Sequence, residues 1–330
     1  MTAKLRWGIL STAKIAQNQV IPALTASASN EVTAIASRDT ERARAVADTL
    51  AIKRAYGSYE QLLTDPDVDV IYNPLPNHMH VPWTIRAIDA GKHVLCEKPI
   101  GLDAADARRL QAATQQTNRL VMEAFMYRFH PQWQKAKQHL DDGRIGNLLA
   151  IHSIFSHYND DPGNIRNQAD IGGGALMDLG CYSISLSRFL LGRSPHRVSA
   201  QQQIHPDFQV DVLTSACLDY GSVQSLFTCT SMGGRYQRVL ILGSNGRIEI
   251  EIPFNAPTDQ PCRLWLQQEH RITEIVCAVA NQYTLQVEAF AEAICTGNAL
   301  PYNLEDAVAN MDIIDTLVES AKRNEWVTLS

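Results

Sequence analysis

His93-Val94-Leu95-Cys96-Glu97-Lys98-Pro99 is an apolar run that stops abruptly in two opposite charges and a proline. Proline has no N–H to give a ladder, and an adjacent carboxylate and ammonium do not belong inside a sheet, so the strand ends there. The chain therefore delivers Glu97 and Lys98 together to a strand end. In an open α/β sheet, the carboxyl ends of the strands are where ligands bind.

The flanking sequence predicts such a sheet. Residues 5–10, 32–36, 68–72, 94–96 and 120–123 read as strands, and residues 15–26, 40–50, 81–90 and 104–117 between them carry helical periodicity. Asp39 and Asp103 stand as helix N-caps, Gly91 as a helix stop, and Asp65-Pro66 as a turn before a strand. The alternation predicts an α/β, doubly wound parallel sheet over residues 1–125.

After Gly143 the pattern changes. A strand at 148–157 leads through a polar loop, 158–171, to Gly172-Gly173-Gly174 and a helix ending at Gly192. Strand-like runs then follow without helices between them, at 198–204, 212–219, 223–230, 238–242, 247–252 and 263–267, before two helices at 284–295 and 304–323. Consecutive strands of this kind predict an α+β domain over residues 126–330 with a large open-faced, mostly antiparallel sheet. Helices cover one face of that sheet, and the alternating Leu, Val and Thr of the other are expected to meet a second copy.

Composition narrows the partners. The chain has 330 residues, 45% of them hydrophobic, enough for two cored domains. A net charge of −6 without a Lys/Arg cluster argues against nucleic acid or an anionic membrane and leaves small molecules. No run is long enough to span a membrane and the first strand begins by Leu5, so a cytoplasmic location is expected. The seven cysteines form no C-x-x-C pair and read as reduced thiols. His78 and His80 have no acidic or cysteine partner nearby, so no metal is expected.

Gly8-Ile9-Leu10-Ser11-Thr12-Ala13-Lys14-Ile15-Ala16 falls where a dinucleotide fingerprint belongs, with Ser11, Ala13 and Ala16 in the places of its glycines. All three are small, so backbone can approach a pyrophosphate at the helix N-terminus. The pattern alone fits an ordinary tight βα connection equally well. Ser37-Arg38 at the end of the second strand suits the 2′-phosphate of NADP, whereas Asp39 would read the ribose of NAD. NADP is the expected cofactor, with NAD as the alternative.

These segments, with Asn73-Pro74-Leu75-Pro76-Asn77-His78, Glu97-Lys98-Pro99, Glu123 to Arg128 and Gly172 to Tyr182, resemble the Gfo/Idh/MocA family of oxidoreductases in the family's order. The resemblance implies that residues 1–125 form a dinucleotide-binding Rossmann domain, with a nicotinamide between the domains and Lys98 close to the reacting carbon. It implies cofactor contacts from Ser11, Thr12, Ala13, Lys14, Ile15, Ser37, Arg38, Pro74, Leu75, Asn77, His78, Glu97, Lys98 and Arg128. It also implies a homodimer or homotetramer built through the C-terminal sheet. Tyr182, where many relatives carry histidine, is similar to the branch containing aldose 1-dehydrogenases, glucose-fructose oxidoreductase and dimeric dihydrodiol dehydrogenase.

On a helix, Asp178 and Tyr182 share one face. A free phenol titrates near ~10, so a tyrosine base at neutral pH needs a neighbouring cation, for which Lys98 is the candidate. Tyr182 is expected to exchange the proton of a substrate hydroxyl while hydride passes to or from the cofactor, with Lys98 polarising both and Asp178 binding a hydroxyl. Tyr127, Phe155, Asp178 and Tyr182 are the expected substrate residues. Arg128, His130, Asp160, Asp161, Arg166 and Asp170 are further candidate contacts. The expected reaction is oxidation of an aldose at its anomeric carbon. A trans-dihydrodiol dehydrogenase, a sugar-ketone reductase and a non-catalytic NADP-binding regulator are the alternatives.

Overall fold

The computed structural model describes residues 4–329 and divides into two compact units. The first runs up to Met126 and takes in Tyr283–Val308, and the second comprises Tyr127–Gln282 and the chain from Ala309 onward.

The first unit holds six parallel strands, β1 (Leu5–Leu10), β2 (Asn30–Ala36), β3 (Arg54–Tyr56), β4 (Val70–Asn73), β5 (His93–Cys96) and β6 (Val121–Glu123), in the order β3-β2-β1-β4-β5-β6. Helices α1 (Ile21–Ala26), α2 (Thr40–Thr49), α3 (Tyr59–Leu63), α4 (Asn77–Asp89) and α5 (Ala104–Thr114) make the crossovers. Ile9, Ile35, Ile71 and Val94 are fully buried, as expected of strands covered on both faces. The winding reverses between β1 and β4, so the loops after those strands flank the switch point where this fold binds ligands.

β3 and α3 escape a reading by periodicity. Arg54-Ala55-Tyr56 has no apolar run, and β3 is held at the sheet edge by pairing with β2 and by Arg54 ion pairs to Asp65 (3.0 Å) and Asp67 (2.8 Å). Helix α4 starts at Asn77 rather than 81, because Pro82 within it disguises the first turn.

In the second unit, α6 (Pro131–Asp141), also unexpected, is opened by Pro131 and by His130, whose ring accepts from Gln132 N–H. Strand β7 (Leu148–Tyr158) and helix α7 (Cys181–Leu191) follow, then β8 (Arg197–Ile204), β9 (Asp211–Asp219), β10 (Gln224–Thr230), β11 (Met232–Gly243), β12 (Gly246–Ile250), β13 (Cys262–Gln268), β14 (Arg271–Cys277) and the short β15 (Val327–Thr328). The sheet order is β14-β13-β12-β11-β7-β10-β9-β8-β15, antiparallel throughout except for the β7–β10 pair. One face buries Phe155, Phe227, Val239 and Leu264. The other leaves Ile154 and Leu242 exposed.

Helix α8 (Gln282–Thr296) lies almost wholly in the first unit, beyond the 1–125 range of the sequence reading, and its Phe290 meets Trp7 edge-on at 6.0 Å. Helix α9 (Leu304–Arg323) closes the chain's helical part. No helix among the described residues is long and apolar enough to cross a membrane.

Candidate active site

At the end of β1 the chain turns at Ser11, whose φ of 79° is left-handed backbone that favours glycine. Ser11 Oγ accepts from Ala13 N–H at 3.2 Å, which gives this position a local reason to tolerate serine. The helix that follows opens through a π-turn, Ala16–Val20, closed by Ile21 N–H donating to Ala16 O. Pro22, with no N–H for the next turn, comes immediately after. Thr12 is buried, Ser11, Ala13 and Ile15 are not fully enclosed, and Lys14 is exposed.

At the end of β2, Ser37 is buried and Asp39 caps α2, its Oδ1 accepting from Glu41 N–H (3.0 Å) and Arg42 N–H (3.1 Å). That role occupies the carboxylate. Burial raises the Tyr59 phenol, and Arg38, which bonds it, and Arg42 pull it back. Two guanidiniums therefore act on one phenol near the end of β2.

Beyond β4, Asn73 is fully buried, its Nδ2 donating to His80 O and Thr84 Oγ1 (3.1 Å each) and its Oδ1 accepting from Leu75 N–H (3.3 Å). Pro74 and Leu75 are buried, and Asn77 and His78 are half-buried. His78 Nδ1 is shielded from solvent with no hydrogen-bond partner among the described residues.

The loop after β5 is fixed atom by atom. Glu97 N–H donates to Asn73 O (3.0 Å), Tyr72 Oη–H donates to Glu97 Oε1 (2.7 Å), and Ile100 N–H donates to Glu123 Oε1 (2.7 Å). Burial, then the Glu97 carboxylate, pushes the Tyr72 phenol well above its ordinary range, so Tyr72 stays a donor. Lys98 stands half-buried on this turn, between two anchored neighbours.

In the second unit, the polar loop latches onto the glycines that open the helix. Gly173 N–H donates to Gln168 O and Gly174 N–H to Arg166 O (2.9 Å each). A Cβ on Gly173 would stand 2.6 Å from Arg166 O, and Gly174 holds φ 118°, so neither position has room for a larger residue. A second π-turn, Leu176–Gly180, leads directly into α7. Asp178 lies in that turn and Tyr182 just after it.

Tyr182 is 5% exposed and walled by Tyr127, Phe155 and Phe254, with ring centroids at 5.9, 5.5 and 5.2 Å. Asp178 Oδ2 accepts from Arg166 Nε at 2.8 Å. Arg166 is thus the loop residue that the structure brings to Asp178. Asp160 bonds Tyr158 Oη, Asp161 caps Gly163 N–H, and Asp170 is exposed.

Two expected contacts have structural employment. Arg128 is fully buried, with Nε and Nη2 donating to Ser185 Oγ (3.1 and 2.8 Å), and Tyr127 Oη shares the same hydroxyl at 2.8 Å. His130 is fully buried at the start of α6, and burial pushes its ring down to about 4.

Comparison with known proteins matches this arrangement over both units. The model of the oxidoreductase family with an NAD-binding Rossmann fold matches residues 5–125, and that of the GFO/IDH/MocA C-terminal domain matches residues 133–249. The chain belongs to the Gfo/Idh/MocA family. Among its relatives, a D-xylose 1-dehydrogenase (NADP(+)) of Haloferax volcanii is 39% identical over 98% of this chain and 100% of its own length. A trans-1,2-dihydrobenzene-1,2-diol dehydrogenase of Xenopus laevis is 35% identical over 77% of each chain. The crystal structure of a 3-ketoreductase from Actinomadura kijaniata in complex with NADP and TDP-benzene superposes with a TM-score of 0.91 at 32% identity, covering 96% of this chain and 98% of that one.

This Gfo/Idh/MocA chain also uses residues that sequence reasoning passed over. Tyr59 bonds Arg38 across the fold, and the Arg42 charge acts on the same phenol. Phe254 comes from a loop with no pattern of its own. Asp211, buried at the start of β9, accepts Leu176 N–H (2.8 Å) and Thr214 Oγ1–H (2.6 Å), so it caps the helix carrying Asp178 and Tyr182. An acidic residue opening a strand was the available signal, but only its partners reveal the role.

Proposed function

We propose that this protein is an NADP-dependent dehydrogenase or reductase of a polyhydroxylated substrate, and that it oxidises an aldose at its anomeric carbon to the lactone. The observation that carries the reading is Tyr182, a buried phenol ringed by three aromatic side chains, one helical turn after an Asp178 engaged by Arg166. Packing alone needs a ring there, whereas a ring beside a carboxylate on a glycine-latched helix suits hydroxyl chemistry.

The cofactor site fits the residues present. Ser37 hydroxyl with the Arg38 and Arg42 guanidiniums is the donor set for a phosphate, and Asp39 is engaged as a helix cap instead of reading a ribose. The small Ser11 and Ala13 let backbone approach a pyrophosphate, with Thr12, Lys14 and Ile15 beside them. His78 Nδ1 is an enclosed polar atom awaiting a partner, in the segment Pro74, Leu75, Asn77 and His78 assigned to the nicotinamide end. NADP supplies the hydride acceptor. Lys98, held by Glu97, orients the reacting hydroxyl and stabilises Tyr182 as the base that takes its proton. Asp178 and Arg166 bind neighbouring hydroxyls, and Tyr127, Phe155 and Phe254 offer apolar faces to the ring carbons.

Those same three rings favour a second reading, oxidation of a cyclic trans-dihydrodiol, a chemistry named for one of the relatives. Incubation with NADP or NAD and a panel of aldoses, polyols and dihydrodiols, followed through the absorbance of the reduced cofactor, separates the two. Pentoses and hexoses turning over best with NADP supports the first. Tight NADP binding with no turnover on any of them leaves the fold as a sensor and defeats both. Light scattering is expected to give a homodimer or homotetramer covering the exposed sheet face.

A further inference from the structure

The loop after β4 and the loop after β5 meet on one side chain that the mechanism above does not use. His80, in the first turns of α4, is 1% exposed, and its ring lies between two main-chain carbonyls, with Nδ1 2.7 Å from Pro99 O and Nε2 2.6 Å from Leu75 O. Leu75 belongs to the segment assigned to the cofactor, and Pro99 directly follows Lys98. The ring's own place is fixed by Asn73, which holds both His80 O and Leu75 N–H. Leu75 and Pro99 are themselves buried, so each carbonyl depends on a protein donor.

A neutral imidazole carries one N–H, and a doubly protonated ring carries two. Burial pushes the ring down to about 4, and the charges of Lys98 and His78 act in the same direction, against the pull of the two carbonyls. Near neutral pH the ring therefore offers one N–H, which bonds the Pro99 carbonyl in one tautomer and the Leu75 carbonyl in the other.

We propose that His80 is a positioning residue for Lys98, coupling the Lys98-Pro99 backbone to the loop after β4 that meets the cofactor. The proposal rests on the reading of Lys98 as a catalytic residue. The strand ends are already joined by Glu97 N–H to Asn73 O, and Ile100 is anchored on Glu123. Between those two anchors, Pro99 O is fixed from the β4 side by the His80 ring.

Two substitutions separate positioning from bulk. His80→Leu removes both ring nitrogens, and His80→Gln offers two N–H donors on one uncharged amide. NADPH affinity is read from its fluorescence, and kcat is counted per cofactor-bound site with the best substrate of the panel. H80L is expected to lose ~10–100-fold in kcat and several-fold in NADPH affinity, and H80Q to return within ~3-fold of the native protein. In a Lys98→Ala background the same H80L change should lower kcat by less than ~2-fold, because its effect passes through the lysine. If H80L does not fold, His80→Asn, whose shorter amide reaches one carbonyl at a time, takes its place in the cycle. A folded H80L, or H80N where it takes its place, with native kcat and native NADPH affinity overturns the proposal, as does an undiminished loss in the Lys98→Ala background. A native protein that binds NADPH but turns over none of the panel overturns the dehydrogenase reading instead, and the NADPH affinities still decide whether His80 supports the β4 loop.

Discussion

In the first unit the candidate residues stand on loops whose backbone N–H and C=O groups are individually held by Asn73, His80, Glu97 and Glu123. In the second they stand on a helix, with Tyr182 inside a box of three rings and the helix start held by a buried carboxylate, Asp211. Hydrogen bonds fix a loop atom in direction as well as distance, which suits a charged group that must point. Ring packing fixes a side chain's volume and keeps water out, which suits a phenol that must exchange one proton.

Substitutions test that contrast at different depths. The largest expected effect is Lys98→Ala, which should cost ~10³-fold in kcat while leaving NADPH affinity within ~3-fold, since a cation acting in the transition state is lost without the loop's bonds. A parallel fall in affinity would show that the lysine holds the loop rather than serving the chemistry.

Acid should strike the first unit through His80. Its folded pKa lies near 4, below the ordinary 6.5, so the folded state binds fewer protons than the unfolded one. Stability is intact above 6.5 and falls as pH drops towards 4, by up to about 3 kcal/mol. His80→Gln should flatten that part of the profile in urea unfolding. Identical profiles for the two proteins would mean that the ring keeps both protons in the fold.

The second unit's weak point is the cap. Asp211→Ala should cost about 1–2 kcal/mol and lower kcat beyond the loss of folded protein, by freeing the helix start below Asp178. Burial raises the Asp211 carboxyl above 3.8, so ionising it at higher pH works against the fold. Asp211→Asn, which accepts the same N–H without charge, should therefore stay within about 1 kcal/mol of the native protein near neutral pH. The smallest effect is Ser11→Gly, which should stabilise by up to about 1 kcal/mol by relieving left-handed backbone, measured as a rise in Tm with cofactor affinity retained.

Which parts were legible in the sequence follows from how far their causes reach along the chain. The strands at 5–10 and 94–96, the caps at Asp39 and Asp103 and the helix at 304–323 are set by neighbours a few residues away, and they stand where pattern placed them. Strand β14 hides Thr273 and Glu274 among its apolar residues and is made a strand by pairing with β13. Helix α6 begins with a proline and carries polar residues over most of its length. The pairing of Arg166 with Asp178, the ring box around Tyr182 and the His80 bridge join positions that sequence spacing cannot relate. Lys98 and Tyr182 were visible as types in a motif. The groups that aim them were not.

The π-turn at Leu176–Gly180 has a consequence for how related chains are aligned. A five-residue turn accommodates one residue more than an α-helical turn, and each residue of an α-helix advances the side-chain direction by about 100°. Removing one residue between Leu176 and Gly180 would let the turn close as a plain α-helix, with the glycine latch before it and Tyr182 after it kept in nearly the same rotational phase. A related chain without the π-turn is therefore expected to show a single-residue gap here, and an alignment that slides past it instead pairs Tyr182 with a neighbour about 100° around the helix.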